Sequence, residues 1–566
     1  MADRIFAIPP SFFSADGERL TWRAYVFLVL LCLASFTPGF ATLPPTDRDE
    51  SLFAQASKQM VESGNVVDIR VQDQPRYKKP VGIYWLQAAS ARLLTPDHLN
   101  SIWAYRVPSL VSAIITVTVT AALGTLLFSP MEGLLAAVML SGCLLLNVEA
   151  RTAKTDAALL ASVVVAQYGL ARAYINYGTR KLGWGVVLAF WSALAAGTLI
   201  KGINLLIVAS TLLWLWRSEK QLRWLLALKP LFGIPYFLLA VAPWFVVIML
   251  QSHGQFIQQS AGHDMLGKLW QDQGRGFIPP GAYLLAFPVT FFPFSLWGML
   301  AGPDTWRDRK MPSVRFCLGW LVLPWIMFEL VLAKLPHYVL PLYPAIALLA
   351  AKALLDGFPA LAERRYRWLP PLYIGLWMLV GTGLALAATL IPYFLDKTIE
   401  TTQIVAGVIL LIGQSASLML FFRQREDSVF VMAAGMLVFT ISLFATNLPN
   451  VQHLWLSREI VATARSIHSC DDKMRIASTY NEPSLVFLAG TNTILRNQGE
   501  AVAAEMRNDP CLVGVIENDK RAEFLKGFAG FPAQPHELTG LRSFVVPRGR
   551  MEEVTLYILP QKAGTP

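Results

Sequence analysis

The sequence predicts a mainly α, polytopic membrane helix bundle of about 13 spans, closed at its C-terminal end by a small α/β domain. Three observations carry that reading. Hydrophobic residues make up 54% of the 566 residues and charged residues only 15%, more apolar surface than a soluble core needs. Apolar runs of spanning length succeed one another from about residue 24 to about residue 446. Beyond that point the pattern changes to short β-branched runs separated by polar, helix-compatible stretches.

In order, the runs fall at about 24–42, 105–128, 131–149, 155–177, 183–200, 202–217, 230–250, 283–300, 315–333, 336–355, 367–392, 403–422 and 428–446. Pro44-Pro45-Thr46-Asp47 follows the first run in place of a small-residue cleavage site, so that run reads as a retained anchor. Hinges at Lys201-Gly202 and Lys334-Leu335-Pro336 separate neighbouring runs. An odd count puts the two termini on opposite sides of the bilayer.

Charge sets the orientation. The stretch 447–566 holds 13 Lys/Arg and 13 Asp/Glu, which leaves the net charge of +10 to the membrane part. Alternate short loops carry Arg180/Lys181, Arg217/Lys220/Arg223/Lys229, Arg307/Arg309/Lys310/Arg315, Arg364/Arg365/Arg367 and Arg423/Arg425. The opposite short loops hold only Arg151, Lys154, Lys201, Lys334 and Lys397, so the basic set is expected in the cytoplasm and nucleic acid is a poor partner. The long loops 43–104 and 251–282 and the domain 447–566 then face outward. In that domain Arg475–Tyr480, Cys511–Ile516, Ser543–Val546 and Val554–Leu559 read as strands. Cys32, Cys143 and Cys317 lie in apolar runs as inert core thiols, whereas Cys470 and Cys511 share the outward domain, where an oxidising compartment permits a disulfide.

The first outer loop opens with Asp47-Arg48-Asp49-Glu50. Carboxylates beside a membrane surface are costly to desolvate, so the cluster reads as a site. Ser51 to Gly64 reads as an amphipathic interfacial helix, with Leu52, Phe53, Ala56, Met60 and Val61 on one face and Gln55, Lys58, Gln59 and Glu62 elsewhere. Asp49 and Glu50 are placed to cap its start. Pro80 to Leu94 is apolar but too short to span and belongs in the interface.

No phosphate-cradling Gly-Lys-Ser/Thr loop, dinucleotide glycine pattern or His-Glu-x-x-His occurs, which argues against ATP as energy source. Polar groups recur instead at the outward ends of spans: Arg48-Asp49-Glu50, Tyr77-Lys78-Lys79-Pro80, Arg151 through Asp156, Lys201, His263-Asp264 through Lys268 and Arg275, and Lys334-Leu335-Pro336-His337-Tyr338. Carboxylates beside Lys, Arg and Tyr suit transfer from a phosphate-linked donor, with a base for the acceptor hydroxyl and cations for the departing phosphate. Lone His residues at span ends are more often structural, which is the reading for His337.

At these residues the chain resembles the bacterial membrane glycosyltransferases related to protein O-mannosyltransferases, in particular the lipid A aminoarabinose transferase group. The resemblance spans about residues 20 to 355 and rests on Arg48-Asp49-Glu50, Tyr77-x-Lys79-Pro80 before Tyr84-Trp85, Arg151 with Asp156, and Lys334-Leu335-Pro336-His337-Tyr338 before Leu340-Pro341. It implies a C-type glycosyltransferase fold in the inner membrane, a polyprenyl-phosphate sugar donor, and lipid A or another periplasmic acceptor. By motif it implies Asp49, Asp156 and Glu50 as catalytic carboxylates, and Lys79 and Tyr338 on the donor phosphate, helped by Lys78, Lys201, Lys268 and Arg275. Arg48, Tyr77, Tyr84 and Arg151 are expected to orient the acceptor. Family members place an acidic residue before the Lys and a His in the second long loop as metal ligands. Here Lys78 takes the first position, and His263 and Asp264 are the groups left for a divalent ion. A protein or glycan O-glycosyltransferase and a lipid-linked sugar transporter are the alternatives, although midspan charges and repeat symmetry for transport are absent from the sequence.

Overall fold

The computed structural model describes residues 8–179, 181–260, 278–423, 425–466 and 474–560. Among the described residues eight helices are long and apolar enough to cross a membrane: Ile102–Leu127, Asp156–Ile175, Pro230–Gln251, Pro312–Leu330, Pro336–Asp356, Arg364–Asp396, Thr401–Arg423 and Glu426–Asn450. A ninth is broken into Pro130–Gly142 and Leu144–Ala150, bent by 65°. Trp22–Phe36 and Trp184–Ile200 are apolar but shorter.

The protein is therefore a multi-pass membrane protein, but the expected count of 13 is not confirmed. The runs 183–200 and 202–217 each form one helix of 17 residues, Trp184–Ile200 and Ile203–Glu219, and others stop early or divide. The run 24–42 stops as helix at Phe36. The run 283–300 divides into Ala282–Thr290 and Ser295–Leu300 around Pro293. The bend near Cys143 is held by Asn147 Nδ2, which donates to the carbonyls of Ser141 and Cys143 at 2.9 and 3.0 Å. Gly124 and Gly133 let Ile102–Leu127 and Pro130–Gly142 meet backbone to backbone, because a Cβ on Gly124 would lie 2.4 Å from the Gly133 Cα.

Both interfacial helices form, as Asp49–Ser63 and Gly82–Leu94. Gly64 ends the first with φ 72°, a left-handed turn that suits glycine. Two expectations for that helix need correction. Its N-cap is Arg48, and neither Asp49 nor Glu50 caps it by a side-chain bond. Its polar face is only partly open to water: Gln55 and Lys58 are buried under the C-terminal segment, Gln59 is half-buried and Glu62 exposed. Gln55 Nε2 donates to Thr491 Oγ1 at 2.9 Å, and the Lys58 ammonium lies 5.9 Å from the Phe487 ring centroid.

That segment forms a five-stranded sheet in the order Ile494–Leu495, Ile476–Ser478, Val513–Glu517, Arg550–Ile558, His536–Val545. The first three strands run parallel and the last two join antiparallel. Ile494–Leu495 was not anticipated, being only two residues long. Helices Leu456–Ser466 and Gly499–Asn508 contribute to the apolar clusters against the sheet. Cys511 is disulfide-bonded, while Cys470, its expected partner, lies outside the described residues.

Candidate active site

Asp156–Ile175 and Pro336–Asp356 are the most enclosed spans, 78% and 89% buried, and their first turns deliver Asp156, His337 and Tyr338 to one end of the bundle. The bent pair brings Glu149 to the same place at the end of Leu144–Ala150. Lys201 sits in the break between Trp184–Ile200 and Ile203–Glu219, where Gly202 turns the chain at φ 73°.

Lys201 Nζ donates to Asp156 Oδ1 at 2.7 Å and lies 4.9 Å from the Tyr338 ring centroid. Lys154 Nζ donates to Glu149 Oε1 at 2.8 Å. His337 stands between the two carboxylates, its Nδ1 3.7 Å from Glu149 Oε1 and its Nε2 3.7 Å from Asp156 Oδ2. Burial alone would drive the Lys154 ammonium to lose its proton, but Glu149, Asp156 and Asp49 more than offset it and hold the pKa above its ordinary value. Asp49 is exposed at the start of its helix and within electrostatic reach of Lys154.

Glu50, one residue on, is completely buried. Its Oε1 accepts from Arg106 Nε at 2.7 Å and from the Ala153 N–H at 2.9 Å; its Oε2 accepts from Arg106 Nη2, the Thr46 N–H and the Thr46 hydroxyl. Arg106 also donates to the carbonyls of Phe40, Leu43 and Pro44. Burial pushes the Glu50 carboxyl up, but Arg106 and these backbone donors bring it below its ordinary value. Glu50 and Arg106 thus tie the first outer loop, the span Ile102–Leu127 and the Ala153 turn into one unit.

Lys79 is half-buried and Lys78 exposed, just ahead of Gly82–Leu94. The start of that helix abuts the end of Trp184–Ile200, since a Cβ on Gly82 would lie 2.9 Å from the Leu199 carbonyl, two residues before Lys201. The sequence-derived cations of the second interfacial helix and of the Lys201 break therefore approach the same end.

The other expected residues divide. Arg48 is exposed, with φ 65°. Tyr77 is buried and donates to Asp68 Oδ1 at 2.8 Å, and Tyr84 is buried against Phe53. Arg151 turns into the bundle: Nη1 and Nη2 donate to the carbonyls of Asn147 and Ser35, and its guanidinium stacks 3.8 Å from the Phe444 ring centroid. His263, Asp264, Lys268 and Arg275 lie outside the described residues. Among the described residues no three His, Cys, Asp or Glu side chains gather as metal ligands; Asp156 and Glu149 are each met by a lysine.

Sequence reasoning gave no role to Glu149, Lys154 or Arg106 and set His337 aside as structural. An available signal was the pairing of Glu149 with Lys154 at the mouth of an apolar run, where uncompensated charge is costly.

Comparison with known proteins finds relatives in sequence and in fold. The family described as dolichyl-phosphate-mannose-protein mannosyltransferase matches residues 78–247, a stretch that contains Lys79, Asp156 and Lys201. An undecaprenyl phosphate-alpha-4-amino-4-deoxy-L-arabinose arabinosyl transferase of Pectobacterium atrosepticum is 26% identical over 450 residues, 77% of either chain. The crystal structure of ArnT from Cupriavidus metallidurans bound to undecaprenyl phosphate matches with a TM-score of 0.69 at 18% identity, over 96% of this chain and 98% of that one. The archaeal oligosaccharyltransferase AglB from Archaeoglobus fulgidus matches with a TM-score of 0.52 at 10% identity, over 96% and 74% of the two chains.

The chain is a polytopic membrane protein with the ArnT fold, similar over residues 78–247 to the dolichyl-phosphate-mannose-protein mannosyltransferases. In sequence it is similar to the undecaprenyl phosphate-alpha-4-amino-4-deoxy-L-arabinose arabinosyl transferases, at 26% identity.

Proposed function

We propose that the protein transfers a sugar, 4-amino-4-deoxy-L-arabinose in the leading case, from polyprenyl phosphate to lipid A or a related acceptor at the periplasmic face of the inner membrane. The observation that carries this reading is the convergence of Asp156, Lys201, Glu149, Lys154 and His337 at one end of the bundle, with Asp49 in electrostatic reach. The lysine and arginine bias of the loops supports a periplasmic site. Residues 1–446 form the catalytic membrane part and 447–566 a periplasmic domain that braces the first outer loop.

An acceptor oxygen attacks the anomeric carbon, the bond from that carbon to the phosphate oxygen breaks, and the acceptor's proton passes to Asp49, the exposed carboxylate. Lys79, Lys201 and Tyr338 receive the departing polyprenyl phosphate, with Lys78 at the rim. Asp156 holds Lys201, and Glu149 with His337 holds the cluster in register. Glu50 acts as a positioning residue, because its carboxylate oxygens are already engaged. Purified protein incubated with polyprenyl-phosphate aminoarabinose and lipid A is expected to yield lipid A heavier by one sugar in mass spectrometry. Unmodified lipid A from folded, donor-binding protein would overturn the acceptor assignment.

A further inference from the structure

From Thr305 and Trp306, beside the Arg307–Lys310 loop, an open apolar groove of about 480 Å³ runs along the spans past Ile346 and Trp325 to Leu284. Helices Ala282–Thr290, Pro312–Leu330, Tyr343–Asp356 and Leu369–Asp396 wall it. Its lining is apolar apart from Thr305 and the edges of Trp306, Trp325 and Tyr373. The floor is made of small residues: a Cβ on Gly298 would press on Phe287 and Ile346 at 3.0 and 3.2 Å, whereas one on Gly302 would meet nothing within 4 Å. None of these residues belongs to the catalytic cluster.

The rim is basic. Its carboxylates are already met: Asp304 by Arg307 at 3.0 Å, Asp308 and Asp356 by Lys352 at 2.7 and 2.5 Å, and Glu363 by Arg365 at 2.9 Å. Arg309, Lys310, Arg364 and Arg367 are exposed and take part in none of these pairs. Arg309 stacks 4.6 Å from the ring centroid of Trp306, itself a groove residue. Pro359–Ala362 packs on Gly302–Arg307, where the Ala360 N–H donates to Asp304 Oδ1 at 2.9 Å, and the chain continues directly into Arg364 and Arg367.

We propose that this groove binds an anionic phospholipid of the leaflet opposite the catalytic cluster, one acyl chain on the Gly298–Gly302 floor and the phosphate headgroup against Arg309, Lys310, Arg364 and Arg367. An unfilled apolar slot between spans suits a hydrocarbon chain, and basic residues clustered beside it select negative headgroups over zwitterionic ones. The charge complementarity separates this site from general lipid solvation, which is indifferent to headgroup.

The test uses the full-length protein, released from bilayers into detergent and exchanged against phosphatidylglycerol or phosphatidylcholine of matched chains, with native mass spectrometry counting retained lipid. One phosphatidylglycerol is expected to stay bound at concentrations where phosphatidylcholine is lost. The triple variant Lys310→Gln, Arg364→Gln, Arg367→Gln is expected to weaken phosphatidylglycerol retention by about tenfold or more, since each basic residue adds to headgroup attraction. Gly302→Leu, which grows into open space, is expected to abolish retention while thermal stability and sugar transfer remain. Equal retention of the two lipids, undiminished retention in Gly302→Leu, or displacement of phosphatidylglycerol from this groove by polyprenyl phosphate would overturn the proposal.

Discussion

Asp49 and Glu50 are adjacent carboxylates with opposite fates, and replacing each by its amide should separate chemistry from architecture. Glu50 is fully buried and accepts five hydrogen bonds, two of them from Arg106, which is only 1% exposed. In Glu50→Gln the new NH₂ group faces N–H donors on either side, and Arg106 keeps its charge with no counter-ion. Removing one partner of such a buried pair costs roughly 3–5 kcal/mol. The released loop would take Asp49 with it, so activity falls together with stability. Asp49 is exposed, and an amide there should shift stability by no more than about 0.5 kcal/mol while removing a base worth roughly 10²–10⁴-fold in rate. Thermal midpoints in detergent, read beside sugar transfer and donor binding, check both. A Glu50→Gln protein as stable as the parent, or an Asp49→Asn protein that keeps its activity, would refute the division of labour.

Asp47 meets the C-terminal domain, where burial pushes its carboxyl up to about 6, the Ser484 N–H opposes that and Glu482 adds to it. Between about pH 4 and pH 6 the folded protein therefore retains a proton that the unfolded chain has released, and stability falls as pH rises through that window before levelling off. Asp47→Asn should remove that slope, an effect on the order of 2–3 kcal/mol; parallel melting curves for parent and variant from pH 4.5 to 7 would contradict it. Lys154→Met strands Glu149 without its ammonium and should lower stability and transfer together. The double variant with Glu149→Gln should recover part of the stability, with a coupling energy of roughly 0.5–3 kcal/mol in a double-mutant cycle. Lys201→Gln should weaken binding of undecaprenyl phosphate alone, measured by titration, because it removes the cation that Asp156 aims past Tyr338; unchanged affinity would take Lys201 out of the phosphate site.

Much of the site was legible in the chain because desolvation leaves a mark in sequence. Asp156, Lys201 and Tyr338 stand at the ends of apolar runs, where polar groups are rare, and the structure brings the three together. Glu50 and Arg151 carry the same mark yet serve packing, because whether a charge faces a cavity or a carbonyl is decided by which helix lies opposite. His337 shows the converse: a lone histidine in the sequence, it stands between two carboxylates that lie on other helices.

Composition and the spacing of apolar runs determined that this chain is a membrane bundle and which loops carry its polar clusters, since transfer from water to hydrocarbon acts residue by residue along the sequence. Tertiary structure decided that the run ending at Glu149 bends by 65°, that Glu50 is walled in by Arg106, and that helix Pro483–Ala489 and the turn after it cover Gln55 and Lys58 of Asp49–Ser63. The last two depend on partners tens to hundreds of residues away, and the bend adds to its local Asn147 bonds a distant one from the Leu144 N–H to the Phe292 carbonyl; no local pattern encodes which hydrogen-bonding groups will meet when the helices pack.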